Sequence, residues 1–230
     1  MTCNYLISII IPVMNEERVI ATTLAGLDRR GCELIVVDGG SSDHTVSFAE
    51  KCGATVLISK PGRGRQLNMG AEKAKGGILL FLHADTMLPR DFQSPVISTI
   101  KEDGVAAGAF RLGIQAEGWR YRLLEKGIEL RSQILGLPYG DQAVFLHRET
   151  FLEVGGYPDL PIMEDVGLIK KLRGKGKINL LTEKVLTSGR RWQKHGVVKV
   201  TVVNQLLLWA FLLGLPPSFL FRCYYGGKEI

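Results

Sequence analysis

Ser8-Ile9-Ile10-Ile11-Pro12-Val13-Met14-Asn15-Glu16-Glu17 is the stretch on which the reading of this chain turns. Its apolar part is short, rich in β-branched residues and free of alternation, the pattern of a strand buried on both faces. Pro12 marks the end of that strand, because it cannot donate to a sheet ladder. Asn15 is placed to cap a helix, with Glu16 and Glu17 in the first turn where the helix dipole favours anions. Apolar Val19, Ile20, Leu24 and Leu27 follow at helical spacing, and Gly31 ends the run.

The same alternation continues outward. Residues 33–38 read as a second buried strand, Gly39-Gly40-Ser41-Ser42-Asp43 as a turn, 45–52 as a helix and 54–58 as a third strand. Lys60-Pro61-Gly62-Arg63-Gly64-Arg65 reads as a glycine-rich loop, 66–75 as a helix, and 78–82 as a fourth strand running into His83-Ala84-Asp85-Thr86. Strands separated by helices of this length predict βαβ units and a mainly parallel, Rossmann-like α/β sheet with flanking helices. The second half is mixed: strand 106–114, helix 119–135, short strand 143–146, short helix 149–154, helix 163–173, strand 177–181 and a final helix 197–213. No linker or internal repeat divides the chain.

Composition narrows the options. With 230 residues, 46% apolar and 23% charged, the chain is neither disordered nor collagen-like. The net charge of +6 is concentrated in residues 173–199, where eight Lys and Arg face Glu183 alone. Such a block is either a solvated basic face or a site for an anionic partner. Interleaved aromatics are missing apart from Trp192, so nucleic acid is not expected. Cys3, Cys32, Cys52 and Cys223 form no CxxC pair and suggest neither a zinc site nor a redox motif. The apolar N-terminal run lacks a basic flank and a small-residue cleavage site, so the expected location is cytoplasmic. Residues 200–221 carry no charge, but Asn204, Gln205 and Pro216-Pro217 interrupt them. The uninterrupted apolar core, 206–215, is too short to span a bilayer and suits a docked or interfacial helix. Peripheral contact at the inner face of a membrane, or a homodimer interface, is the expectation for it.

In open α/β sheets ligands bind at the carboxyl ends of the strands. The polar residues there are Asn15, Glu16 and Glu17, then Asp38, then His83 and Asp85. Asp38-Gly39-Gly40 is also an ordinary turn sequence. Asp85 is a hard oxygen ligand for Mg²⁺ or Mn²⁺, and His83 shares its face on an extended segment; a helix cap plus a surface histidine is the plainer reading. Arg63 and Arg65 match phosphate oxygens, with Gly62 and Gly64 allowing backbone N–H groups near an anion. A dinucleotide-binding GxGxxG is excluded because Leu67 occupies the third glycine position, and no P-loop is present. A DxDxT phosphatase fails because His83 stands where the nucleophilic Asp is needed. Trp119 and Tyr121 could stack on a sugar, and His195 could approach a metal, although core packing and a surface position are the plainer readings.

In order, Ile9 to Glu17, Val36 to Asp43 and Leu80 to Asp85 resemble glycosyltransferase family 2, the GT-A fold of dolichol-phosphate mannose synthase-like enzymes. The chain is especially similar to the small stand-alone radical-SAM/selenodomain-associated transferases. The resemblance continues through Gly140-Asp141-Gln142, Gly155-Gly156-Tyr157, Glu164-Asp165 and Arg190-Arg191-Trp192. It implies a single GT-A domain over 1–230, with a nucleotide-binding half (1–90), an acceptor-binding half (91–195) and a C-terminal helical extension (196–230). It also implies transfer of a sugar from a nucleoside-diphosphate donor, UDP-linked in most of the family, to a hydroxyl acceptor with inversion. Asp38 would bond the nucleobase, and Pro12, Asn15 and Glu17 would line the nucleotide pocket. Asp85, with His83, would hold the divalent metal on the diphosphate. Asp165 would be the general base beside Glu164. Asp141, Gln142, Arg190, Arg191 and Trp192 would lie at the acceptor and diphosphate. Three departures stand out: Gly39 replaces the usual second Asp after strand two, His83 replaces the first Asp of the metal motif, and no Gln precedes Arg191-Trp192 at the usual place. A nucleotide-sugar-binding scaffold with degraded catalysis and a sugar nucleotidyltransferase remain as alternatives.

Overall fold

The computed structural model describes residues 6–226, so Cys3 lies outside the described residues. Strand β1 (Ile7–Val13) sits between β2 (Cys32–Asp38) and β4 (Ile78–Phe81), parallel to both, and β3 (Thr55–Ile58) extends the parallel set beyond β2. With β5 (Thr86–Met87), β6 (Val105–Gln115), β7 (Phe145–His147) and β8 (Lys177–Ser188), they form one eight-stranded sheet of order β3-β2-β1-β4-β7-β6-β8-β5. β7 is antiparallel to β4 and β6, β5 is antiparallel to β8, and β8 is parallel to β6. The sheet is therefore mixed and mostly parallel, as the strand and helix alternation predicts.

Period-two alternation sends β1 to both faces. Ile7, Ile9 and Ile11 join one core with Ile20 and Leu24 of α1 (Glu17–Ala25), Ala49 of α2 (Thr45–Lys51), Val96 of α4 (Gln93–Ile100) and Ile128 of α5 (Trp119–Leu135). Ile10 joins the opposite core with Leu67 and Ala71 of α3 (Arg63–Lys73), Phe151 of α6 (Arg148–Glu153) and Leu168 and Ile169 of α7 (Glu164–Arg173). The chain closes with α8 (Arg190–His195), α9 (Val197–Leu212) and α10 (Pro217–Tyr225).

Four local expectations need correction. Asn15 is not a helix cap: it takes the left-handed region (φ 55°) that Asn tolerates, and Glu16 precedes the helix. The Gly-Arg segment is not a loop, because α3 starts at Arg63 and contains Gly64 and Arg65. The strand expected to end at Leu181 runs on to Ser188 through a register shift against β6. Pro217 does not merely break the last helix but starts a new one, at a first-turn position where its missing N–H costs nothing. Short β5 and helices α4 and α8 were not anticipated.

Gly70 sets the distance between α3 and the sheet. A Cβ there would run into Ile10 Cγ2 and lie 3.1 Å from Val37 Cγ2. Gly70→Ala is expected to destabilise the fold by roughly 1–3 kcal/mol, since overpacking moves helix and strand apart. Urea unfolding checks this, as a lower midpoint at unchanged slope.

Candidate active site

A cleft of about 930 Å³ opens at the carboxyl ends of β1 and β4, where the strand order reverses. Its floor is Pro12 and Val13 at the end of β1, with His83, Ala84 and Asp85 after β4. The buried Gln66 of α3 pins this floor, its Nε2 donating to the carbonyls of Val13 (2.9 Å) and Val37 (2.8 Å). The start of α3 is thereby held over the strand ends, and Arg63 and Arg65 reach the cleft from its first turn.

Two loops lock each other beside the floor. Asn15 Oδ1 accepts from the Ser42 N–H, and the Asn15 N–H donates to Ser41 Oγ. The N–H groups of Glu16 and Glu17 donate to Thr45 Oγ1 (2.8 Å) and Asp43 Oδ2 (3.2 Å), and Glu17 Oε2 accepts from the His44 N–H. These side chains satisfy the orphan donors at the start of α1. Asp38, 2% exposed, accepts from the N–H groups of Gly40 and Ser41 and from Ser41 Oγ. Asn15, Glu17 and Asp38 therefore do not line the cleft; they shape its rim.

The opposite wall is acidic. A 3₁₀ turn, Gly140–Gln142, carries Asp141 into the cleft. Fully buried Gln142 holds that turn: its Oε1 accepts from the Tyr139 N–H and Ser132 Oγ, and its Nε2 donates to the Phe110 carbonyl. Gln142 thus supports the site from behind. Asp165 Oδ2 accepts from the Gly140 N–H (3.0 Å) and Oδ1 from the Val166 N–H (2.8 Å), so two backbone donors fix its plane. Glu164, 3.7 Å from Arg63, is buried, and burial with the charge of Asp165 raises its pKa. Burial, with Arg63 adding to it, pushes His83 well below the usual imidazole range, so its ring is neutral. Burial also pushes Asp141 up to about 6, and its Oδ1 has no hydrogen-bond partner.

The third wall is basic and aromatic. Arg190 spans the cleft rim, donating to both carboxylate oxygens of Glu16 (2.7 and 2.8 Å) and lying 3.3 Å from Asp85 Oδ2. Arg191 sits over the Tyr224 ring at 5.1 Å, and the buried Trp192 Nε1 has no partner. Phe221, Tyr224 and Tyr225 of α10 complete this side. Sequence reasoning missed them, as well as Gln66 and Asp159, which holds Arg65 by two hydrogen bonds of 2.9 and 2.8 Å. Aromatics at helical spacing after Pro216-Pro217 were the available signal for α10. His195 and Trp119 do not line the cleft, and Tyr121 packs against the core.

Among the described residues no group of three or more His, Cys, Asp or Glu is placed to hold a metal ion. Asp85 and the neutral His83 give a partial donor set. It fits a hard cation that completes its shell with phosphate oxygens and water, the usual manner for Mg²⁺ beside a diphosphate.

The family model "Glycosyl transferase family 2" matches residues 8–156. A PGL/p-HBAD biosynthesis glycosyltransferase of Mycobacterium bovis is 38% identical over 91 residues, 35% of this chain and 36% of that protein, so the match spans about a third of that relative. Two solved structures share the fold at a TM-score of 0.64, each over 80% of this chain. One is Staphylococcus aureus TarS 1–349 in complex with UDP-GlcNAc (19% identity, 58% of that chain). The other is the mannosyltransferase PcManGT of Pyrobaculum calidifontis in complex with GDP-Man and Mn²⁺ (18% identity, 57% of that chain).

Asp141 makes the cleft's acidity measurable as stability. Its pKa is raised from 3.8 to about 6 on folding, so the folded state binds more protons between those values. Stability therefore falls as pH rises through that window, and the full cost persists above it. Asp141→Asn is expected to match the parent near pH 4 and to exceed it above pH 6 by roughly 1–3 kcal/mol. Thermal unfolding of both proteins from pH 4 to 8 checks the widening gap.

Proposed function

This chain belongs to glycosyl transferase family 2, and we propose that its cleft transfers a sugar from a uridine-diphosphate donor to a hydroxyl acceptor with inversion. The observation that carries this reading is the make-up of the cleft: Arg63, Arg190 and Arg191 and the backbone-fixed carboxylate of Asp165 line one cavity at the switch point of the sheet. Arg63, Arg190 and Arg191 supply fork-shaped donors suited to the two phosphates. Asp165 keeps lone pairs beyond those given to Gly140 and Val166, and is held where an acceptor hydroxyl can donate to it.

The chemistry balances without a further reactant. The acceptor oxygen forms the new bond to the anomeric carbon and gives its proton to Asp165. The bond from that carbon to the diphosphate breaks, and its electron pair leaves with the phosphate. Attack on the face opposite the leaving diphosphate, with Asp165 taking the proton, inverts the anomeric centre. Base assistance of this kind is worth roughly 10²–10⁴-fold. A divalent cation held by Asp85, with His83 beside it, would add Lewis-acid stabilisation of the leaving group. Arg190 is already paired with Asp85 and Glu16, so donor binding must reorganise that pairing. Asp38, Asn15 and Glu17 act on the nucleotide through the shape of the rim, and Trp192 Nε1 and Asp141 Oδ1 are the unpartnered polar atoms that meet the sugar or acceptor.

Two measurements test this. UDP, GDP and ADP, each with Mn²⁺, with Mg²⁺ and with EDTA, are compared by thermal shift. At about 100 times its dissociation constant a ligand adds about 2.7 kcal/mol, expected as roughly 5–11 °C for UDP with metal. A shift that survives EDTA would move the phosphate contact from Asp85 to the arginines, and no shift with any diphosphate would overturn the reading. Asp165→Asn is expected to keep the UDP shift while losing roughly 10²–10⁴-fold in turnover of UDP-sugar with an accepting hydroxyl compound.

A further inference from the structure

We propose that the outer face formed by α5 and α9 is a docking surface for an anionic lipid bilayer. On α5, Trp119, Leu123, Leu130 and Ile134 are all more than half exposed, with Gly127 between them. On α9, Val198, Val202, Leu206 and Trp209 are exposed as well, and so is Leu213, which caps the helix, at 80%. Steps of three and four residues put each set on one line along its helix. α5 and α9 pack against each other, so the lines belong to neighbouring helices. The inner side of α9 is spent differently: Val200, Leu207 and Leu208 are buried, and Asn204 and Leu207 reach the cleft. A helix apolar on every side is ordinarily buried on every side, and this one leaves its outer line in water.

Charge selects the occupant. α5, α8, α9 and α10 together carry nine Lys and Arg against Glu125 and Glu129. Both carboxylates are committed inward, Glu125 to Arg122 and the Ile114 N–H, and Glu129 to Arg111. Arg120, Lys126, Lys194, Lys199 and Arg222 are exposed on these helices. Apolar lines carrying two tryptophans and flanked by cations are the composition of a helix lying in the headgroup region of an anionic membrane. A second copy of this chain would bring the same cations opposite one another, which opposes association. Crossing the bilayer is not the mode: α9 has 16 residues, about 24 Å of helix, against about 30 Å of hydrocarbon. No helix among the described residues is long and apolar enough to span.

The test needs no donor or acceptor, so it stands apart from the transferase reading. The full chain is co-sedimented with phosphatidylcholine vesicles and with vesicles in which roughly a third of the lipid is phosphatidylglycerol. Expected is binding to the anionic vesicles about tenfold or more above the neutral ones, weakened by salt. Leu206→Glu with Leu213→Glu, and separately Trp119→Glu with Leu123→Glu, should each lower it about tenfold or more, with thermal unfolding little changed because these side chains are mostly exposed. Ile58→Glu, at an exposed apolar residue of β3, should leave it unaltered. Absence of binding to anionic vesicles at low salt overturns the proposal. So does binding that the glutamate pairs do not alter, which would make it a property of net charge alone. Sedimentation equilibrium gives a third route to rejection: a dimer abolished by Leu206→Glu, without vesicle binding, would assign the face to self-association.

Discussion

The side-chain amide of Gln66 joins the ends of two parallel strands to the first turn of a helix, and the rest of the cleft is arranged around that junction. One buried nitrogen donates to the Val13 carbonyl at the end of β1, which also accepts from the Gly39 N–H, and to the Val37 carbonyl one residue before the end of β2. A buried amide nitrogen left without acceptors costs about 1–3 kcal/mol, so these two carbonyls hold Gln66, and α3 with it, in place. With Gln66 seated, Gly64 lies where a Cβ would be 3.0 Å from the Pro158 carbonyl, and Gly70 lies against Ile10. Arg63 then has one place to go, between Glu164 and the cleft.

The cleft balances its own charge. Glu16 and Asp85 share Arg190, Glu164 faces Arg63, and Asp159 holds Arg65. Arg63, Arg65 and Arg190 are each already in contact with a carboxylate, whereas Arg191 lies over Tyr224 and bonds Asn204. An incoming diphosphate therefore competes with internal partners, and affinity reflects the difference between two sets of ion pairs. Asp141 keeps an oxygen without a partner, and burial, with the charge of Asp165 adding to it, raises its pKa to about 6 against the pull of Arg131.

Much of the fold was legible because β4 is fully buried and β1 and β2 nearly so, and burial leaves an apolar run that water-facing strands do not show. β8 was half legible: beyond Leu181 the polar run Thr182-Glu183-Lys184 breaks the apolar pattern, because that stretch is exposed on one side and buried on the other. The start of α3 was misplaced because Gly62 and Gly64 read as breakers, whereas Gly64 is a helical residue required by close approach to another loop. The cleft residues Asp85, Asp165, Arg190 and Arg191 were legible as residue types at strand and helix ends. Asn15, Glu17, Asp38 and Gln142 were legible as important but not as supports, because a polar side chain in sequence carries no sign of whether its partners are ligand or backbone.

The wall made by α8, α9 and α10 is thinly rooted. α8 buries no residue, α10 buries only Leu220, and α9 buries Val200, Leu207 and Leu208, whereas β1 is buried almost throughout. Segments with little buried apolar contact open at a lower free energy than the strands they lean on. Arg190, Arg191 and Trp192 can thus part from the cleft while the parallel sheet stays folded. A sub-global opening of the last helices would uncover the cleft at a lower free-energy cost than unfolding of the sheet.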